Sequence, residues 1–130
     1  MKVLALDYGA ARTGVAVSDA TGTLARPVGV VERAASGAGL RQLVELVAAE
    51  EPERIVVGLP LTLRGEPGAQ AEETARFVDT LRGAVSVPVE SFDERFTTTL
   101  ASRDPSARAP EDARAAAHLL ESYLAWSSRS

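Results

Sequence analysis

Residues 54–60, Arg-Ile-Val-Val-Gly-Leu-Pro, form an unbroken apolar and largely β-branched run. Beyond Arg54 no polar residue alternates within it, so a strand made from it has to be covered on both faces. The neighbouring segments supply that cover. Leu40, Leu43, Val44 and Val47 fall at i, i+3, i+4 and i+7 within residues 40–51, the stripe of an amphipathic helix stopped by Pro52. Residues 69–81 carry a second helical pattern, with Ala71, Ala75 and Val78 inward and Phe77 and Leu81 widening the stripe. Residues 87–92 read as a further strand, and Pro110 suits the first turn of a final helix reaching about Trp126. Strands alternating with helices point to parallel pairing around the 54–60 strand.

The amino-terminal part adds strands of another kind. Residues 3–6 are apolar and end at Asp7, followed by Tyr8 and Gly9. Residues 13–18 form a second run closed by Asp19, so the two read as a hairpin joined by a glycine-containing loop. After a turn at 20–23, residues 24–31 read as a third strand, with Pro27 at an edge or a bulge. Residues 34–39 are expected to be a loop of small residues. The resulting order, β-β-β-α-β-α-β-α, implies an α/β fold with a mixed five-stranded sheet flanked by helices. A length of 130 residues suits a single domain spanning 1–130.

Composition removes several classes of function. Without cysteine there are no disulfides or thiolate metal sites, and the lone His118 cannot build a zinc centre. No run approaches the length of a membrane span, and the first apolar run breaks at Asp7, so no signal peptide and a cytoplasmic location are expected. A net charge of −4 is unlike a general nucleic-acid coat protein, but it allows an enzyme that meets phosphates through cations and local arginines. Thirteen arginines stand against one lysine, a bias that genome composition alone can produce.

Three acidic positions attract attention. Asp7 follows the first strand and Asp93-Glu94 the last. If the central strands are parallel, both places lie on the carboxyl edge of the sheet, where sites of open α/β folds form. Asp112 lies at the start of the last helix on a stripe with Ala116, Leu119, Leu120 and Tyr123. An acid in a first turn also suits the helix dipole, and an acid after a strand also suits a turn. Glu111 serves the dipole equally well, so the place of Asp112 on the apolar face calls for another reason. Carboxylates converging without a base between them repel one another. Hard divalent cations, Mg²⁺ or Mn²⁺, relieve that repulsion, and two of them about 3.5–4 Å apart suit phosphodiester hydrolysis.

The segments DYGAARTGVAVSD, VVGLP with its following glycine-rich loop, DERFTTT and the helix bearing Asp112 resemble the YqgF family across nearly the whole chain. These are Holliday-junction-resolvase-like proteins of RNase H fold associated with pre-16S rRNA processing. The resemblance implies an RNase H-like nuclease domain whose acidic site falls at Asp7, Glu94 and Asp112, with Asp93 in support and Mg²⁺ or Mn²⁺ as cofactor. Arg12, Arg64, Arg95 and Arg103 would hold phosphates, although each also reads as a solvated surface charge. Two departures remove positive charge. Ala11 stands where the family usually has lysine, and the usually lysine-rich segment before the last helix keeps only Arg103 and Arg108.

The implied activity is metal-dependent endonucleolytic cleavage of structured nucleic acid, with precursor rRNA as substrate and ribosomal particles as a source of positioning. A Holliday-junction resolvase acting on DNA and a non-catalytic RNase H-like module in transcription or ribosome assembly stay open as alternatives. An actin-like ATPase would also use Asp7-Tyr8-Gly9 as a phosphate loop, but those proteins close two domains over a nucleotide. RNA against DNA, cleavage position and oligomeric state are not written in the sequence.

Overall fold

The computed structural model describes residues 1–59, 68–93 and 111–127. Its sheet has five strands in the order β3-β2-β1-β4-β5. These are β1 (Val3–Asp7), β2 (Arg12–Ser18), β3 (Ala25–Glu32), β4 (Arg54–Leu59) and β5 (Val89–Asp93). β1 pairs antiparallel with β2 and parallel with β4, so the strand bearing Asp7 is the middle of the sheet. The helices are α1 (Gly37–Glu50), α2 (Ala69–Ala84) and α3 (Glu111–Ser127). The α/β class and the mixed five-stranded sheet expected from the alternation are both present.

Alternation along the strands divides the core in two. Leu4, Leu6, Val15, Val17, Ile55 and Val57 meet α1 and α2 on one side. Val3, Ala5, Ala16, Val56 and Phe92 meet Leu119, Leu120 and Tyr123 of α3 on the other. Val3 to Leu6 have no exposed surface at all, which explains why that run never alternates with polar residues. Each fully buried leucine or valine here is worth about 1.5–3 kcal/mol relative to exposure. α3 lies across β1, β2 and β3, and its amino-terminal end therefore arrives over the β1–β2 pair.

Local boundaries show where patterns misled and why. α1 begins at Gly37, three residues before the expected start, because Ser36 caps it: its hydroxyl accepts from the Gly39 amide at 3.1 Å. A Cβ on Gly39 would stand 2.0 Å from the Arg33 carbonyl oxygen, so that first turn is pressed against the preceding chain. α2 runs on to Ala84, with Arg82 in its last turn donating to the Val89 carbonyl at 2.9–3.0 Å. Ala75, expected inward, is exposed, and Thr74 is buried instead. Pro27 sits on the edge strand at a register shift between Val15 and Ala16, so both its edge and bulge roles hold. Among the described residues no helix is long and apolar enough to cross a membrane.

Candidate active site at the carboxyl edge of the sheet

The site is built from the ends of β1 and β2 and the first turn of α3. Asp7 closes β1 and is paired in register with Gly14 of β2. By alternation, Asp7 shares a side with Val3 and Ala5, the side covered by α3. Gly14 has no side chain to separate β2 from α3. A Cβ there would lie 1.8 Å from the Asp112 carbonyl oxygen and 2.4 Å from its carbon. The helix backbone at Asp112 thus rests directly on the strand backbone beside Asp7. That contact brings two acids from opposite ends of the chain to one spot. Glycine inside a β-branched strand is the sequence sign of such an approach.

Arg12 precedes Gly14 by two residues and faces the same way. Its Nε lies 3.4 Å from Asp112 Oδ2, with both side chains partly open to solvent. An exposed pair of this kind is worth about 0–1 kcal/mol, so it holds Asp112 only loosely. It also places a base where the sequence suggested none between the acids.

The loop between β1 and β2 is anchored from the other side. Tyr8 is buried against Phe77, ring centroids 4.4 Å apart and nearly parallel, and its hydroxyl donates to Glu73 Oε1 at 3.2 Å. Burial, and then the neighbouring Glu73 carboxylate, raise the Tyr8 pKa above its usual value. Tyr8 therefore stays a neutral donor and pins the chain next to Asp7. The sequence reading passed over this anchor; a tyrosine between Asp7 and Gly9 carries no helix or strand periodicity to reveal it.

The other expected residues fall as follows. Asp93 ends β5 opposite Leu59, two strand spacings or about 10 Å from β1. Alternation sets it with Val89 on the α1–α2 side, whereas Asp7 is on the α3 side. Glu94, Arg64, Arg95 and Arg103 lie outside the described residues. His118 stands away from the acids, about 9 Å along α3 from Asp112 and on another face, with Nδ1 3.2 Å from Glu121 Oε1. Its side chain is only 16% exposed, so it is largely covered.

Among the described residues, no group of three or more histidine, cysteine, aspartate or glutamate side chains is close enough to hold a metal ion. The donor chemistry that is present nevertheless suits one. Asp7 and Asp112 contribute hard carboxylate oxygens from elements locked together at Gly14, the ligand type preferred by Mg²⁺ and Mn²⁺.

Comparison with known proteins agrees with this architecture. A protein from Chloroflexus aurantiacus named "Putative pre-16S rRNA nuclease" is 43% identical over 130 residues, covering 94% of this chain and 85% of the relative. One of the same name from Desulforudis audaxviator is 39% identical over 132 residues, covering 95% and 94%. Among solved structures, Thermus thermophilus RuvC in complex with a Holliday junction substrate superposes with a TM-score of 0.69 over 100% of this chain and 96% of that one. At 16% identity, that likeness establishes a shared RNase H-type fold and no more. The model of the RuvX family, described as Holliday junction resolvase, matches residues 1–126, and the chain belongs to that family.

Proposed function

We propose that this protein is a metal-dependent endonuclease, a hydrolase of phosphodiester bonds in structured nucleic acid, that processes the 5′ end of pre-16S rRNA in the cytoplasm during ribosome biogenesis. The observation that carries this reading is the packing of Asp112 onto Gly14 beside Asp7, in a chain of the RuvX family. The names of its relatives point to pre-16S rRNA as substrate. One nuclease domain over residues 1–130 suffices for the chemistry. Ribosomal particles are partners that would supply positioning this acidic chain lacks.

Asp7 and Asp112, with Glu94, would hold Mg²⁺ or Mn²⁺; Asp93, on the other face of the sheet, is left out of that set. Such a cation neutralises the scissile phosphate and lowers the pKa of water, so no histidine base is needed. The remaining work belongs to the chain itself. Asp7, on the central strand, fixes the position of the reacting group against a rigid sheet. Arg12 exchanges its loose hold on Asp112 for a phosphate oxygen of the substrate, and Arg64, Arg95 and Arg103 extend the contacts to the backbone. These contacts position the strand without reading bases.

Asp7→Asn tests the reading because it keeps shape while removing one negative charge. Crowded carboxylates destabilise each other, so the variant should melt higher than the parent in EDTA yet fail to cleave a precursor 16S rRNA fragment in Mg²⁺ or Mn²⁺. A structural aspartate predicts the reverse, a lower melting temperature with cleavage retained. Cleavage at the parental rate would overturn the proposal. A four-way DNA junction assayed in parallel tests the second substrate, which the family description favours.

A further inference from the structure

We propose that Arg33 is an additional phosphate-contacting residue, placing nucleic-acid backbone across the β3 edge of the sheet toward Asp7 and Asp112. The inference rests on the nuclease reading above and extends its binding surface in a direction not otherwise assigned.

Four observations converge on this residue. First, Arg33 follows β3 at the same end of the sheet as the acids. β3 pairs with β2 so that Glu32 faces Arg12, and the Arg33 amide donates to the Ala11 carbonyl at 3.0 Å. Its backbone is thus one strand spacing, about 5 Å, from the segment carrying Arg12. Second, Arg33 has φ of 48°, in the left-handed region that a side chain of its size seldom adopts. Third, that conformation is held on both sides. Besides the amide bond to Ala11, the Arg33 carbonyl accepts from the Ser36 amide at 2.8 Å and the Ser36 hydroxyl at 2.7 Å. Fourth, its side chain is exposed, and no carboxylate among the described residues lies within ion-pair distance of its guanidinium. Arg12, Arg26, Arg54 and Arg82 have such partners, while among the described residues the exposed Arg41 and Arg76 share the lack of one, so it is the place and backbone of Arg33 that set it apart.

A glycine would satisfy that backbone more easily than arginine does. A cation with no ion-pair partner among the described residues, fixed in an unfavourable backbone state beside the site, is explained by an external anion. The surroundings suit one. α1 starts at Gly37, directly after Ser36, with no acid in its first turn, so the positive end of its dipole is uncompensated at this corner. Arg12 and Arg33 then form a short cationic track from Asp112 over the open edge, matched to the phosphodiester backbone of RNA or DNA.

The test separates side chain from backbone. Arg33→Gly and Arg33→Ala both remove the guanidinium, but only glycine relieves the left-handed backbone. Binding of a labelled precursor 16S rRNA fragment and of a four-way DNA junction is measured in EDTA, so that no strand is cut, across a salt series. Both variants should bind about five- to tenfold more weakly than the parent, and the slope of log K against log salt should fall by about 0.7–0.9, the share of one phosphate. Glycine should bind as poorly as alanine although it is the more stable of the two. Arg26→Ala, at the far end of the sheet and paired with Glu50, should leave affinity and slope unchanged. Loss with RNA alone or with the junction alone identifies which backbone uses the track. Parental affinity and slope in Arg33→Gly on both probes would overturn this inference while leaving the nuclease reading intact. Failure of the parent itself to bind either probe would overturn both.

Discussion

Gly14→Ala is the most informative single change, because the new methyl group has nowhere to go. It would begin 1.8 Å from the Asp112 carbonyl oxygen, with the Ala113 nitrogen at 3.1 Å, and these are backbone atoms that cannot rotate aside. Restoring an ordinary contact of 3.4 Å requires the start of α3 to move about 1.6 Å away from β2. Overpacking of this sort costs about 1–3 kcal/mol. The lever on chemistry is larger, since a misplacement of about 1 Å can cost on the order of 10²-fold in rate. Asp112 rides on the displaced turn while Asp7 stays on the central strand, so the two carboxylates separate. Urea denaturation should show the stability loss, and a Mn²⁺ titration of the folded protein should show weakened metal binding. Cleavage of a precursor rRNA fragment should fall by at least about 10²-fold. Gly29→Ala on the neighbouring strand is the control. No atom lies within 4 Å of its added Cβ, and its φ is not positive, so stability should hold or rise by about 0.4–1 kcal/mol. A Gly14→Ala protein with parental denaturation midpoint, metal affinity and cleavage rate would refute the idea that this contact sets the site.

Two further outcomes follow from polar clusters away from the site. The Tyr123 hydroxyl donates to Glu90 Oε1 and accepts from Arg54 Nη1 at 2.9 Å, so Tyr123→Phe should cost about 1–2 kcal/mol in urea denaturation without changing cleavage. Asp19 organises the β2–β3 turn, and the Thr21 hydroxyl, then the Thr23 and Leu24 amides, hold its pKa below the usual carboxylate value. The unfolded chain therefore binds the proton first as pH falls, so the Asp19 contribution is complete above about pH 4 and is lost as pH drops through the lower folded pKa. Stability measured from pH 6 down to pH 2 should fall less steeply for Asp19→Asn than for the parent; equal slopes would show that the turn contacts do not favour the ionised form.

Much of the architecture was legible because burial writes itself into periodicity. The unbroken 54–60 run demanded cover on both faces, and the helical stripes beside it showed what the cover was. Short-range chemistry was readable too: Pro27 could not sit in a central strand, and Pro52 could not continue a helix. Where residue patterns misled, the cause was a contact outside the pattern's reach. Nothing in the stripe of α1 shows that Ser36 caps it or that Gly39 presses on Arg33. Ala75 and Thr74 are adjacent on α2, and only the rotation of the helix against β4 and β5 decides which is buried. The acids at Asp7 and Asp112 stood out by residue type and by family resemblance, yet 105 positions separate them in the sequence. What joins them is the absence of one side chain at Gly14, which lets a helix backbone settle on a strand. Partnership was likewise a tertiary matter. The same guanidinium group is tied to Asp112 at position 12 and has no ion-pair partner among the described residues at position 33, because strand register and backbone angle, which no single residue specifies, choose what each one meets.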